Sequence, residues 1–288
     1  MASARTVRVR AHAKINLTLH VRGVRADGYH ELETVFQALA LHDTVTCVAR
    51  PGAFAIRCDD PGVPTDDRNL VWRAAQALWR AAGRRGRARD VDVSLAKQIP
   101  MQSGLGGGSS DAAAALEALA RLWKIEGDVD LSAVAAAIGS DVPYFLTGGT
   151  ALGLSRGERL YTLPELPSCH VVLGFPAFGV STAEAYRWFD ADARRRPAGA
   201  GLVPATVGWP DRWLVVHNDL EAPVVRRHPE IGAIRELLAE GGASAASMTG
   251  SGSAVFGLFD TAARARRAAR AVAEAGFVAI LTETAGRG

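Results

Sequence analysis

Hydrophobic residues near the start of the chain recur at every second position. Val7 and Val9, then Ile15, Leu17, Leu19 and Val21, alternate with polar neighbours, the period of a strand with one face on a core. Further strand-like runs cover residues 34–41, 44–48 and 54–58. The period then changes. Residues 70–82 predict a helix ended by Gly83, and residues 91–95 a short alternating strand. An alanine-rich helix is expected from about 110 to 123, with Leu116, Leu119 and Trp123 on one face, and another over 131–138, stopped by Gly139. From Arg159 onward the texture is strand, helix, a Pro/Gly/Arg loop from Ala193 to Pro210, more helices and a closing strand–turn–strand–helix–strand. The expected architecture is α+β with mostly antiparallel strands. A boundary near Leu160 gives two domains, residues 1–160 and 161–288.

Composition narrows the function class more than the fold. At 288 residues, 48% hydrophobic and 22% charged, the chain can bury a sizeable core. No heptad or Gly-X-Y period appears, and no apolar run reaches the roughly 18 residues of a membrane span. The basic N-terminus lacks the apolar stretch of a signal peptide, so a cytoplasmic location without a membrane partner is expected. Cys47, Cys58 and Cys169 are neither an even set nor a CxxC, which argues against a disulfide framework or a zinc ribbon. Basic and acidic residues number 33 and 30, interspersed, so a nucleic-acid partner is not expected. The clusters Arg84, Arg85, Arg87, Arg89 and Arg194, Arg195, Arg196 adjoin Gly or Pro and read as solvated loops. Lysine occurs only at Lys14, Lys97 and Lys124. In a chain that otherwise uses arginine, a lysine marks a place for a compact ammonium rather than a planar fork.

The strongest chemical signal is the segment 100–110. Pro100, Met101, Gln102 and Ser103 lead into Gly104, Leu105, Gly106, Gly107 and Gly108, with Ser109 and Ser110 at the expected helix start. Glycines let the backbone approach a ligand closely, and free N–H groups at a helix start make a phosphate cradle. A glycine turn with a serine cap is the plainer reading of the same residues. Asp111 would repel a phosphate and has to point elsewhere. The P-loop is excluded because no Gly-Lys pair occurs. The dinucleotide fingerprint fails because Ser109 stands where it needs Gly or Ala, which weakens an oxidoreductase reading. Asp141, before Pro143, reads equally as a helix N-cap or a base. Lys14 and Asn16 share one strand face. His12, His20, His42, His170, His217 and His228 show no zinc-like spacing.

Three segments, AKINLTL (13–19), PMQSGLGGGSSDAAA (100–114) and MTGSGSAVFGLF (248–259), resemble the signature motifs of the GHMP small-molecule kinases. RADGYHELETVFQAL (25–39) and GSDVPYFL (139–146) are similar to a branch of that superfamily acting on a cytidine diphosphate-linked sugar alcohol in isoprenoid precursor synthesis. The resemblance implies a ribosomal S5 domain 2-like N-terminal domain that binds ATP and a ferredoxin-like α+β C-terminal domain, with the active site in the cleft between them. It implies ATP and Mg2+ as cofactors, the magnesium ligands unassigned, and a monomer or homodimer. It makes Asp141 the base that takes the acceptor proton and Lys14 the cation that orients the hydroxyl and the transferred phosphoryl. Pro100 to Ser110, with Lys97 nearby, would hold the ATP. Asn16, Tyr29, His30, Thr182, Tyr186, Gly250 and Gly252 would hold the acceptor, the aromatic rings closing on cytosine from both sides. Gln102 and Ser103 depart from the small residues usual there, which leaves the local nucleotide contacts open. A mevalonate- or homoserine-type kinase is the nearest alternative; an oxidoreductase or an RNA-binding protein lies further off.

Overall fold

The computed structural model describes residues 5–193 and 216–287. Arg194, Arg195 and Arg196, and the predicted loop from there to Pro210, lie outside the described residues. The first half of the chain forms β1 (Thr6–Val24), β2 (His30–Ala53), β3 (Ala55–Cys58), α1 (Leu70–Ala81), β4 (Arg89–Ala96), α2 (Gly107–Trp123), α3 (Leu131–Ile138) and α4 (Val142–Thr147). The second half forms β5 (Thr150–Ser155), β6 (Arg159–Thr162), β7 (His170–Phe175), α5 (Thr182–Ala193), β8 (His217–Asn218), α6 (Glu221–Val225), α7 (Pro229–Glu240), β9 (Ala245–Met248), β10 (Val255–Phe259), α8 (Ala262–Glu274) and β11 (Val278–Glu283). The predicted strands 34–41 and 44–48 are one continuous β2, since no glycine or proline interrupts residues 30–50. Among the described residues, no helix is long and apolar enough to cross a membrane.

Packing divides the chain into two compact units that alternate along the sequence. One comprises residues up to Ala13, Leu41–Pro100 and Gly106–Gly148; the other comprises Lys14–Ala40, Met101–Leu105 and Gly149 onward.

In the first unit, the second half of β2 pairs antiparallel with β4, from Thr44↔Ala96 to Ala49↔Val91, and β3 runs parallel to β4. Val45, Cys47, Val91, Val93 and Leu95 cover this sheet with apolar side chains that α1 and α2 bury. The small side chains of Ala112, Ala113, Ala115 and Ala118 are buried along α2, which lets the helix approach its neighbours closely. Asn69 caps α1 by accepting the Val71 N–H at 2.8 Å, and Asp130 caps α3 through the N–H groups of Ser132 and Ala133. Helix α2 starts at Gly107, earlier than the pattern predicts. Its N-cap is Gly106 at φ 75° with no side-chain cap, so neither Ser109 nor Ser110 plays the capping role.

In the second unit, the first half of β2 pairs with β5, from Leu32↔Ser155 to Gln37↔Thr150, and β1 pairs parallel with β8 through Thr18↔His217. A separate antiparallel sheet has the order β11-β7-β10-β9. Taken with α5–α7 after β7 and α8 before β11, this is the βαββαβ order of a ferredoxin-like sandwich. Helix α8 buries Ala265, Ala268, Ala269 and Val272 at helical spacing and turns its arginines outward, the pattern of an amphipathic helix on a sheet.

Candidate active site

The apolar face of β1 (Ala13, Ile15, Leu17, Leu19, Val21) is buried, as its alternation predicts, but so is the polar face. Lys14, Asn16, Thr18 and His20 are each 5% exposed or less. Buried polar groups need partners, and this row has them. Lys14 Nζ donates to Asn16 Oδ1 at 2.6 Å and lies 5.6 Å from the centre of the Phe36 ring. Asn16 Nδ2 donates to Thr34 Oγ1 at 2.7 Å, and the Asn16 N–H donates to Thr249 Oγ1 at 2.9 Å. Thr34 Oγ1 donates in turn to the Thr18 carbonyl at 2.6 Å. Asn16, assigned from sequence to the acceptor, therefore fixes the Lys14 ammonium. Thr34 and Thr249, which no motif reading singled out, fix Asn16.

Two glycine turns meet beside this row. A Cβ at Gly104 would sit 2.4 Å from the Thr249 carbonyl oxygen, and one at Gly250 would sit 3.0 Å from the Gly104 oxygen and 3.4 Å from Lys14 Nζ. Both glycines have positive φ, 80° and 57°, so each is required for conformation and for space. The Lys14 N–H donates to the Leu105 carbonyl at 3.0 Å, and the Ala254 N–H to the Ser103 carbonyl at 3.1 Å. Asn218 pins the second turn by donating to the carbonyls of Met248 and Gly250, both at 2.8 Å. Gly252, also at positive φ, lies in the same turn, and Ser251 shares a 3.0 Å hydrogen bond with Thr182. Gln102 has φ 52°, a conformation that favours glycine, and its side chain lies over Gly179, where a Cβ would fall 2.9 Å from Gln102 Oε1. The departure from the family pattern is thus accommodated by a second glycine.

The aromatic residues expected around a base do gather, in a different arrangement. His30 and Tyr186 stack on each other with centroids 4.6 Å apart, and His30 Nε2 is 2.9 Å from Asp190 Oδ1. That is the spacing of one stacked pair, which leaves no room for a base between the two rings. Tyr29 is 56% exposed, with the Arg156 guanidinium 5.1 Å from its ring centre.

The first unit carries the other candidates. Lys97 donates to Asp43 Oδ2 and, at 2.6 Å, to Asp111 Oδ2, all three side chains being buried. Asp43 Oδ1 accepts the N–H groups of Gln98 and Ile99 at 2.5 and 2.9 Å, fixing the backbone just ahead of Pro100. Burial works against the Lys97 ammonium, but the Asp111 and Asp43 carboxylates outweigh it and raise its pKa above the usual lysine value. Burial pushes the Asp111 carboxyl up to about 7, Lys97 opposing the shift and Asp43 adding to it. Asp111 Oδ1 is buried and accepts no hydrogen bond. Asp111 turns its Oδ2 toward Lys97. Sequence reasoning missed Asp43, whose one local signal is a lone acidic residue inside the strand-like run 38–48. At the start of α2 the absence of a side-chain cap leaves the first-turn N–H groups for an anion. Asp141 occupies the N-cap position of α4, yet its side chain makes no capping hydrogen bond, so the cap reading of that residue fails.

The comparisons with known proteins agree. Residues 69–149 match the model of the GHMP kinases N terminal domain and residues 206–278 that of the GHMP kinases C terminal. A 4-diphosphocytidyl-2-C-methyl-D-erythritol kinase from Anaeromyxobacter dehalogenans (strain 2CP-1) is 45% identical over 91% of this chain and 83% of its own length. One from Moorella thermoacetica is 43% identical over 95% and 97%. A crystal structure of 4-(cytidine 5'-diphospho)-2C-methyl-D-erythritol kinase superposes with a TM-score of 0.79 at 37% identity, covering 97% of this chain and 100% of that one. A homoserine kinase from Cytophaga hutchinsonii, at 18% identity and a TM-score of 0.72, shares the fold.

Proposed function

Because the chain belongs to the GHMP kinases and, among them, to the family of 4-diphosphocytidyl-2-C-methyl-D-erythritol kinases, we propose that it transfers the γ-phosphoryl group of ATP to the 2-hydroxyl of 4-diphosphocytidyl-2-C-methyl-D-erythritol, a step toward isoprenoid precursors independent of mevalonate. The observation that supports this best is the Lys14 ammonium, buried, oriented by Asn16 and set beside the glycine turns of Gly104 and Gly250. Phosphoryl transfer asks a protein mainly for positioning and for positive charge where negative charge develops.

Each part follows from a local property. Asp141, whose side chain does not cap α4, takes the proton of the acceptor hydroxyl. Lys14 orients that hydroxyl and meets the transferred phosphoryl. The α2 start, Gly106 to Ser110, and the loop Pro100 to Leu105 receive the ATP phosphates. Lys97 acts on this loop indirectly: with Asp43 it sets the backbone of Gln98 and Ile99. The unpartnered Asp111 Oδ1 is a hard oxygen donor, and one carboxylate plus phosphate oxygens is a usual way to hold Mg2+. Bound magnesium would neutralise charge on the transferring phosphates. Cytosine stacks on an outer face of the His30–Tyr186 pair or on exposed Tyr29, and Thr182 with Gly250 and Gly252 lines the acceptor's other end. Residues 1–160 then supply ATP binding and chemistry, and residues 161–288 complete the acceptor site, in a cytoplasmic monomer or homodimer that needs no nucleic acid or membrane.

An acceptor panel tests the reading. The cytidine is remote from the reacting hydroxyl, so its binding energy places that hydroxyl for attack. The cytidine diphosphate-linked alcohol should be phosphorylated, and bare methylerythritol, mevalonate and homoserine hardly at all. CMP should compete with the acceptor and UMP much less. Efficient use of any bare alcohol, or equal inhibition by CMP and UMP, would refute the cytidine assignment.

A further inference from the structure

The buried polar face of β1 extends beyond the residues the kinase reading uses. Lys14 and Asn16 have roles, and Thr18 accepts the Thr34 hydroxyl. His20, 3% exposed, does neither. Across the parallel pairing with β8, His20 meets His217, the two imidazoles stacked with centroids 4.8 Å apart and planes 16° from parallel. Asp219 follows two residues after His217. Its Oδ1 is 2.8 Å from His217 Nε2, and its Oδ2 accepts the Val21 N–H at 2.7 Å. Among the described residues, this is the one group of histidines and carboxylates whose ligand atoms come together, all within 4.8 Å of one another.

We infer that His20, His217 and Asp219 form a binding site for a divalent transition-metal ion, with zinc the best match. Two imidazoles and one carboxylate are ordinary zinc ligands, and three protein ligands leave a fourth position for water. Three features of the geometry favour an ion over a plain hydrogen-bonded cluster. His20 lies on β1, His217 on β8 and Asp219 in the turn directly after β8, and backbone hydrogen bonds hold them: Thr18 pairs with His217, and the Asp219 N–H donates to the Leu19 carbonyl at 2.9 Å. The oxygen of Asp219 that does not face His217 is anchored by a backbone N–H, the outer support that ligating carboxylates usually have. Arg22, two residues beyond His20 on the same strand, is paired with Glu33 at 3.0 Å. Ligand atoms around a tetrahedral zinc lie about 3.3 Å apart, given metal–ligand bonds near 2.0–2.1 Å. Closing from 4.8 Å therefore takes a rotation of His217, which at 34% side-chain exposure is the least buried of the three.

Such an ion would have a structural consequence. Asn218, between His217 and Asp219, holds the carbonyls of Met248 and Gly250, so an ion tying β8 to β1 braces the glycine turn beside Lys14. The site lies outside the phosphoryl-transfer groups, and neither ATP nor acceptor is needed to fill it.

The test uses the full chain without a histidine tag, stripped with chelator and titrated with Co2+, then Zn2+. One equivalent of Co2+ should bind with the intense visible bands of a four-coordinate ion, and Zn2+ should displace it. At a hundred-fold excess over its dissociation constant, Zn2+ should raise the melting temperature by roughly 5–10 °C. His217→Gln and Asp219→Asn should each abolish the bands and the rise, while His42→Gln keeps both. X-ray absorption of the zinc-loaded wild type should show two imidazoles and one carboxylate oxygen, and it decides the matter even if a variant fails to fold. Absence of stoichiometric uptake by the wild type, uptake unaffected by His217→Gln, or a shell with fewer than two imidazoles would overturn the proposal.

Discussion

Two of the chain's three lysines are buried, and the two regions that bury them solve the problem differently. Lys97 donates to two carboxylates, Asp43 and Asp111, on separate elements. That arrangement cancels its charge within the protein and turns the cation into a clamp on the backbone of residues 98 and 99. Lys14 donates to the amide oxygen of Asn16, which orients the ammonium beside Gly250, where a Cβ would fall 3.4 Å from its Nζ. Lys14 sits in a motif segment and Lys97 just ahead of another, and the scarcity of lysine in an arginine-rich chain pointed to both. Their surroundings differ. The Lys97 cage fixes the backbone ahead of the glycine loop, whereas the Lys14 ammonium lies beside the glycine turns, where the proposed function puts the transferred phosphoryl.

If that contrast is right, removing a group that meets the reactants should lower turnover and leave stability alone. The largest effect is expected at the base: Asp141→Asn keeps the shape and loses the basicity, for a fall in turnover of about 10²–10⁴. Steady-state kinetics with a urea denaturation curve on the same sample checks both halves; a variant retaining more than about half its turnover would demote the residue. At the caged lysine the order of effects should reverse. Lys97→Met leaves two buried carboxylates facing each other, a loss of roughly 3–5 kcal/mol in stability, measured by the shift in the urea midpoint. A normal midpoint with failed catalysis would break the distinction.

The subtlest test is pH. Burial pushes the Asp111 carboxyl up to about 7 in the folded chain, from an ordinary value of 3.8. Between those values the folded state holds a proton that the unfolded state has released, so this residue's contribution is present at low pH and is lost as pH rises toward 7 and above. Asp111→Asn, which no longer titrates, should flatten that part of the stability profile relative to wild type. Unfolding free energies at intervals from pH 4 to pH 8 check the difference, and parallel profiles would contradict it.

How much of this was legible in the sequence depends on which physical cause is asked about. Helices α1 and α3 and strand β4 were readable because cap residues and apolar period agree there. The start of α2 was misread: serine is a common cap, but the helix begins on Gly106 in a left-handed conformation. The polar positions 14, 16, 18 and 20 were visible as one face of β1, yet alternation states only which residues share a face, not whether that face is buried. Asp43 and Asn218 lie outside the motif segments, and Thr34 and Thr249 lie inside two of them without any role that the motif states. They matter because distant segments bring them to Lys97, Asn16 and Gly250, and sequence separations of 54 residues for Lys97–Asp43 and 233 for Asn16–Thr249 leave no local trace. Aromatic residues for a base were foreseen, but the stacking of His30 on Tyr186 was not.

The central claim is that the Lys14 ammonium acts on the phosphoryl group in flight and not on ATP at rest. Lys14→Arg keeps the charge and replaces a compact ammonium with a planar fork. Single-turnover transfer from γ-labelled ATP to the cytidine diphosphate-linked acceptor, with ATP affinity measured on the same protein, separates the two. Transfer should fall by roughly 10²–10³, the cost of losing a group that stabilises developing charge, while the dissociation constant for ATP changes less than about threefold, as expected for an interaction made only in the transition state. Transfer at wild-type rate, or a loss of ATP affinity that matches the loss of rate, would contradict it.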